Sequence, residues 1–157
     1  MRVRVGQGFD VHRFVEDVER PLVLGGVTFE SERALAGHSD ADVVAHACAD
    51  ALLGAAGLGD IGQLFPDTDP AWAGADSLEL LAEATRQVCA AGWEPGNVDA
   101  SLVTDHPKIA PMRDEMGRRL SAAVGAPVTV KGRRPEGLGA LGRGEGVACW
   151  AVAVVTR

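Results

Sequence analysis

The run VACWAVAVV, residues 147–155, constrains the fold more than any other stretch. Successive residues of a strand face opposite sides of its sheet, so a strand at the surface of an antiparallel sheet alternates apolar and polar side chains. This run is apolar on both faces, so the strand it forms needs cover on two sides. Helices supply one cover, and another subunit is the candidate for the other.

The rest of the chain provides those helices. MRVRVGQGF, residues 1–9, alternates with period two and reads as a half-buried strand ending beside Asp10 and His12. PLVLGGVTF reads as two short strands around a Gly-Gly turn. The alanine-rich stretch after Ser39 predicts a helix over about 41–55, with Ser39 or Asp40 as its N-cap and Gly57 at its end. DSLELLAEATRQVCAAG predicts an amphipathic helix capped by Asp76 or Ser77, and NVDASLVT a strand. A further helix is expected after Pro107, then the strand PVTVK and a glycine-rich stretch before the last strand. Between the first two helices, DIGQLFPDTDPAWAGADS is a long acidic loop, and loops of that length are often functional. The order predicts an α+β fold, a mixed β-sheet with helices packed on one face, and 157 residues suit a single domain.

A formal charge of −7 argues against nucleic acid or an anionic membrane as partner, since both reward clustered Lys and Arg. Cys48, Cys89 and Cys149 are odd in number and widely spaced, which suits neither a disulfide framework nor a thiolate metal site. The opening residues form a strand instead of a leader, and no stretch reaches bilayer-spanning length, so a cytoplasmic location is expected.

Asp10 and His12 point the same way on a strand, because positions i and i+2 share a face. On the first helix His46 sits four residues from both Asp42 and Asp50. Two imidazoles and a carboxylate are a good ligand set for Zn²⁺, and three protein ligands leave a fourth position for water or substrate. Taken singly, a D-x-H pair is more often a turn acid beside an ordinary histidine. The reading gains weight because His12, His38 and His46 all lie beside acids at element ends or on one helix face.

GFDVHRF, GHSDADVVAHACADALLGAAGLGDIGQLFPDTDP and GRGEG together resemble the 2-C-methyl-D-erythritol 2,4-cyclodiphosphate synthases of the non-mevalonate isoprenoid pathway, nearly end to end. The resemblance implies a homotrimer around a three-fold core of sheets, with active sites between subunits. Each site holds Zn²⁺ and a second divalent cation, Mg²⁺ or Mn²⁺. The small-molecule substrate implied is 4-diphosphocytidyl-2-C-methyl-D-erythritol 2-phosphate, whose 2-phosphate attacks its own β-phosphorus and expels CMP.

By the same resemblance Asp10, His12 and His46 are the zinc ligands, and Glu136 is the ligand of the second cation. His38 and Ser39 contact phosphate, with His38 a transition-state stabiliser. Asp60, Gly62, Phe65, Pro66, Asp67 and Asp69 hold the methylerythritol unit, while Thr104, Pro107, Lys108, Ile109 and Ala110 belong to the cytosine pocket. His106 stands where the family usually has a small residue, and Ile109 and Ala110 replace larger side chains. KGRRPEG replaces a threonine run, so Arg134, beside Arg133, falls where a threonine hydroxyl would stabilise the transition state. Arg143 and Ala140 match positions between the site and a central trimer cavity reported to hold isoprenoid diphosphates, although Ala140 replaces an aromatic residue. Two other readings fit an open zinc site: a metal-dependent phosphohydrolase, and a non-catalytic trimer that binds nucleotide or isoprenoid diphosphate.

Overall fold

In the computed structural model, which describes residues 1–157, the doubly apolar run lies within β7, Gly146–Thr156, at the middle of a five-stranded sheet. Its neighbours β1, Val3–Val15, and β5, Glu94–Val103, both pair with it antiparallel. Beyond β5 lies β6, Val128–Arg133, in parallel, and beyond β1 lies the two-residue β4, Ala34–Leu35. The sheet is therefore mixed, as expected. A separate hairpin joins β2, Leu22–Leu24, to β3, Val27–Phe29. Its turn residues Gly25 and Gly26 have φ of 59° and 74°, the left-handed pair that a two-residue hairpin turn demands.

Three helices cover one face: α1, Val43–Ala56; α3, Ser77–Ala90; and α4, Arg113–Val124. Helix α1 lies closest because both sides of the contact are small. Gly6 and Gly8 of β1 face the backbone of α1, and a Cβ at either would run into the carbonyl oxygen of Ala51 or Ala47. This close approach brings His46, in the first turn of α1, against the strand that carries Asp10 and His12. The two short helices α2, Ile61–Leu64, and α5, Gly139–Gly142, sit in the long acidic loop and the glycine-rich stretch.

Three boundaries differ from the sequence reading. Strand β1 does not end at Asp10 but continues to Val15, pairing Asp10 with Cys149 and His12 with Val147. Helix α1 begins at Val43, because Ala41 sits in the left-handed region at φ 59° and cannot be helical. Its N-cap is Asp42, not Ser39 or Asp40, and the carboxylate accepts the N–H groups of Val44 and Ala45. The fourth helix starts only at Arg113, after a 3-10 turn over Ala110–Met112, because Pro111 disfavours α geometry for the residue before it.

Asp42 is fully buried and also accepts the N–H groups of Gly25 (2.8 Å) and Gly26 (2.7 Å), so one carboxylate ties the hairpin turn to the helix N-terminus. Asp42→Ala removes the cap and strands two further donors, and it is expected to cost about 3 kcal/mol or more. Asp42→Asn, which keeps one acceptor oxygen, costs less. Denaturant unfolding of the three proteins checks the order.

The other face of the sheet has no cover within the chain. Along β7 the inward Val147, Cys149, Ala151, Ala153 and Val155 are at most 1% exposed, whereas outward Trp150 and Val152 are 42% and 45% exposed. They continue into Phe9, Val11, Val5 and Val3 on β1, with the Phe9 and Trp150 rings 4.8 Å apart. A contiguous apolar surface of this kind marks an interaction site. No helix is long and apolar enough to cross a membrane.

Candidate active site

Asp10 and His12 project from β1 on its helix side, and His46 meets them from α1. One ligand atom from each gathers within 4.8 Å. Asp10 Oδ2 lies 3.0 Å from His12 Nε2 and 2.9 Å from His46 Nδ1. The far nitrogen of His12, Nδ1, donates to the Ala36 carbonyl at 2.6 Å, which fixes that ring as an Nδ1–H tautomer with its Nε2 lone pair turned inward. His12 Nε2 is buried and out of line for a hydrogen bond with Asp10. A buried nitrogen that faces a carboxylate without a bond is what a cation between them would satisfy.

Burial alone would raise the pKa of Asp10, but the two imidazoles beside it outweigh that and bring it down to about 2. Burial opposes charge on His12, yet Asp10 raises its pKa above the ordinary value. The carboxylate is therefore ionised at neutral pH and ready to bind a cation. The donor set of two nitrogens and one oxygen suits zinc.

The three candidate ligands line a cavity of about 450 Å³, which is also lined by His38, Ser39, Gly62, Phe65 and Asp67. Gly37, Ile61, Trp72 and Leu80 complete the lining and were not singled out from the sequence. Trp72 packs edge-on against Phe65 at 4.8 Å, and an aromatic within an acidic loop was the available signal. The loop is shaped by its own acids. Asp60 caps α2, Asp69 caps the following 3-10 turn, and Asp50 holds the Ile61 N–H at 2.7 Å. Burial raises the pKa of Asp50. Thus Asp42 and Asp50, which share a helix face with His46, both serve backbone groups. Asp60, Pro66 and Asp69 border the loop without lining the cavity. His38 donates from Nε2 to the Asp69 carbonyl at 2.8 Å. Ser39 is buried, its hydroxyl accepting from Ala41 N–H and lying 3.2 Å from His46 Nε2.

A second cavity, of about 240 Å³, is lined by Thr104, Pro107, Lys108, Ile109, Ala110, Arg133 and Arg134, with Asp105, His106 and Gly132. Thr104 Oγ1 donates to the His106 carbonyl at 2.5 Å, and the Ile109 side chain covers Gly132. Arg134 is exposed, with only a 3.7 Å approach to Asp105. Within one chain Glu136 does not join the metal ligands. It is exposed, in the left-handed region at φ 54°. Ala140 is exposed on α5, and Arg143 pairs with Glu145 at 2.5 Å. The chain therefore carries two separate pockets with complementary contents, three candidate metal ligands in one and a basic rim in the other.

Known proteins share this arrangement of sequence and fold. A 2-C-methyl-D-erythritol 2,4-cyclodiphosphate synthase of Bordetella petrii is 54% identical, over 98% of this chain and 96% of that protein. A bifunctional IspD/IspF enzyme of Anaeromyxobacter sp. is 54% identical over 99% of this chain, which spans only 40% of that relative's length. The solved structure of a 2-C-methyl-D-erythritol-2,4-cyclodiphosphate synthase in a CDP-bound form superposes with a TM-score of 0.86 at 40% identity, over 98% of this chain and all of that one. The model of the YgbB family matches residues 3–156, and with these relatives it shows that the chain belongs to the YgbB family, the cyclodiphosphate synthases of isoprenoid biosynthesis.

Proposed function

We propose that the two pockets are halves of one active site that closes only between subunits of a homotrimer, each chain acting over residues 1–157 as a single synthase domain. The reaction is that of the family: 4-diphosphocytidyl-2-C-methyl-D-erythritol 2-phosphate is converted to 2-C-methyl-D-erythritol 2,4-cyclodiphosphate with release of CMP. The observation that carries the reading is the convergence of Asp10, His12 and His46 in a cavity that also holds His38 and Ser39. The uncovered apolar sheet face is what supports the trimer, because a charged and polar helix face lies on the opposite side.

In this reading Asp10, His12 and His46 hold Zn²⁺, and Glu136, two residues after Arg134 of the second pocket, serves a second cation, Mg²⁺ or Mn²⁺. When bound, zinc supplies a Lewis acid that withdraws charge from phosphate oxygens. The chain's own residues do the rest. Both reacting groups are anionic phosphates of one molecule, so the task is to fold a flexible substrate and offset repulsion. Well-held intramolecular reactions reach effective molarities of ~10⁵ M or more, which makes positioning the main instrument. His38 is held at Nε2 by the Asp69 carbonyl, which leaves Nδ1 as its atom available to a phosphate. Ser39 contacts the same phosphate. Asp60, Gly62, Phe65, Pro66, Asp67 and Asp69 hold the methylerythritol unit, with the Phe65–Trp72 pair as its apolar wall.

Thr104, Pro107, Lys108, Ile109 and Ala110 take the cytosine largely through main-chain groups. A relative's CDP-bound form is consistent with a nucleotide subsite. Arg134, its fork free in solvent, replaces a threonine hydroxyl and grips the diphosphate beside Arg133 through paired hydrogen bonds. Ala140 and Arg143 border the central cavity of the trimer. We place the protein in the cytoplasm, where three thiols, two of them buried, stay reduced.

Incubation with the diphosphocytidyl substrate tests the proposal. CMP and the cyclic diphosphate should appear in equal amounts. Free inorganic phosphate would indicate a hydrolase, and CDP binding without turnover a sensor.

A further inference from the structure

The proton inventory around His46 is unusually restricted. Its Nδ1 faces Asp10 Oδ2 at 2.9 Å, and its Nε2 faces two hydroxyl oxygens, that of Ser77 at 2.8 Å and that of Ser39 at 3.2 Å, which lie 3.3 Å from each other. Ser77 is the first residue of α3, fully buried, and lines neither of the two cavities described above. Its hydroxyl makes a very short contact with Asp40 Oδ1, while its N–H donates to Asp40 Oδ2 at 3.1 Å. Asp40 Oδ1 also accepts the Asp42 N–H at 3.0 Å. Both carboxylate oxygens are thus acceptors.

Ser77 Oγ and Asp40 Oδ1 are hydrogen-bonded, and since the carboxylate accepts the N–H groups of Ser77 and Asp42, the proton between the two oxygens is that of the serine. With this proton committed to Asp40, Ser77, the nearer of the two hydroxyls, can offer His46 nothing but a lone pair, and the Ser39 hydroxyl can direct its own hydrogen to the Ser77 oxygen 3.3 Å away. His46 Nε2 must then carry a hydrogen, and in the neutral ring Nδ1 is left bare, 2.9 Å from the ionised Asp10, a repulsion that a cation held by both would relieve.

From this geometry we infer that Ser77, oriented by Asp40, is a positioning residue that selects the Nε2–H tautomer of His46 and so presents Nδ1 to the metal. His12 is served by the opposite arrangement, with Nδ1–H on the Ala36 carbonyl and Nε2 facing the metal. Each imidazole therefore has a dedicated acceptor on its far side. For His12 the acceptor is a main-chain carbonyl, while for His46 it is a side chain that α3 delivers. The inference rests on the zinc reading above, and its own failure can be told apart from that one.

The test has two arms. In the metal-free wild type, at a pH where the ring is neutral, two-bond proton–nitrogen correlation spectra of ¹⁵N-histidine protein should show His46 protonated at Nε2. In Ser77→Ala the zinc affinity, measured by chelator competition, should fall about 10–100-fold, the usual cost of losing such a partner. Asp40→Asn, whose amide can donate to Ser77 and turn the hydroxyl toward His46, should shift the ring toward the Nδ1–H form. An Nδ1–H ring in the wild type overturns the inference, even if Ser77→Ala fails to fold. Wild-type zinc affinity in a folded Ser77→Ala protein does so too. A wild-type protein that binds no zinc would instead refute the metal site itself.

Discussion

His46→Ala should leave a folded protein that no longer retains zinc and no longer makes the cyclic product. Alanine is the best residue for a helix interior, and α1 is already built largely of it, so the helix persists. What disappears is one of three ligands. Losing it should weaken zinc binding by at least about a hundredfold, since apparent affinities of protein zinc sites are shared among few ligands. Turnover should fall with it and should not return in excess Mg²⁺. Far-ultraviolet ellipticity, zinc content after dialysis and CMP release, measured on one preparation, check the three statements together. Retained zinc at one equivalent would show that His46 is an ordinary helix histidine.

Val152→Asp should be nearly harmless to the single subunit and ruinous to the assembly. Val152 is 45% exposed in the chain alone, on the outward face of β7 between Trp150 and Val154, so a carboxylate there meets water. In a trimer built on that face, three carboxylates would be buried near one another and unpaired, at a cost of several kcal/mol. Sedimentation should show trimers for the wild type and monomers for the variant. Activity should vanish because the basic pocket at Thr104–Arg134 no longer meets the metal pocket of a neighbour. Zinc should still bind, because Asp10, His12 and His46 come from one chain. An active monomer would refute the shared site.

The sheet and its helix cover were legible because apolar runs and alanine-rich stretches report burial directly. The doubly apolar VACWAVAVV announced a central strand, and it is one. What misled was polarity at functional positions. Asp10 and His12 look like the end of a strand, whereas the ladder with β7 passes straight through them, and their side chains line a cavity on the helix side of the sheet. Ser39 and Asp40 satisfy the usual rule for an N-cap, but the left-handed Ala41 delays the helix until Asp42 can cap it. The convergence of Asp10, His12 and His46 was visible as residue types with compatible directions on a strand and a helix. Ser77 was not, since nothing in a sequence distinguishes a serine that starts a helix from one whose hydroxyl reaches across to another helix. Such a role depends on how α3 packs against α1, and packing is a tertiary fact.

Metal removal and restoration bears most directly on the account. The protein is stripped with a strong chelator, its zinc content confirmed as nil, and CMP and cyclic product are followed while zinc is added back in the presence of Mg²⁺. Product formation should be absent at first, rise linearly and level off at one zinc per chain. Full turnover by the stripped protein, or a titration with no break near one equivalent, would mean that Asp10, His12 and His46 do not do what is claimed for them.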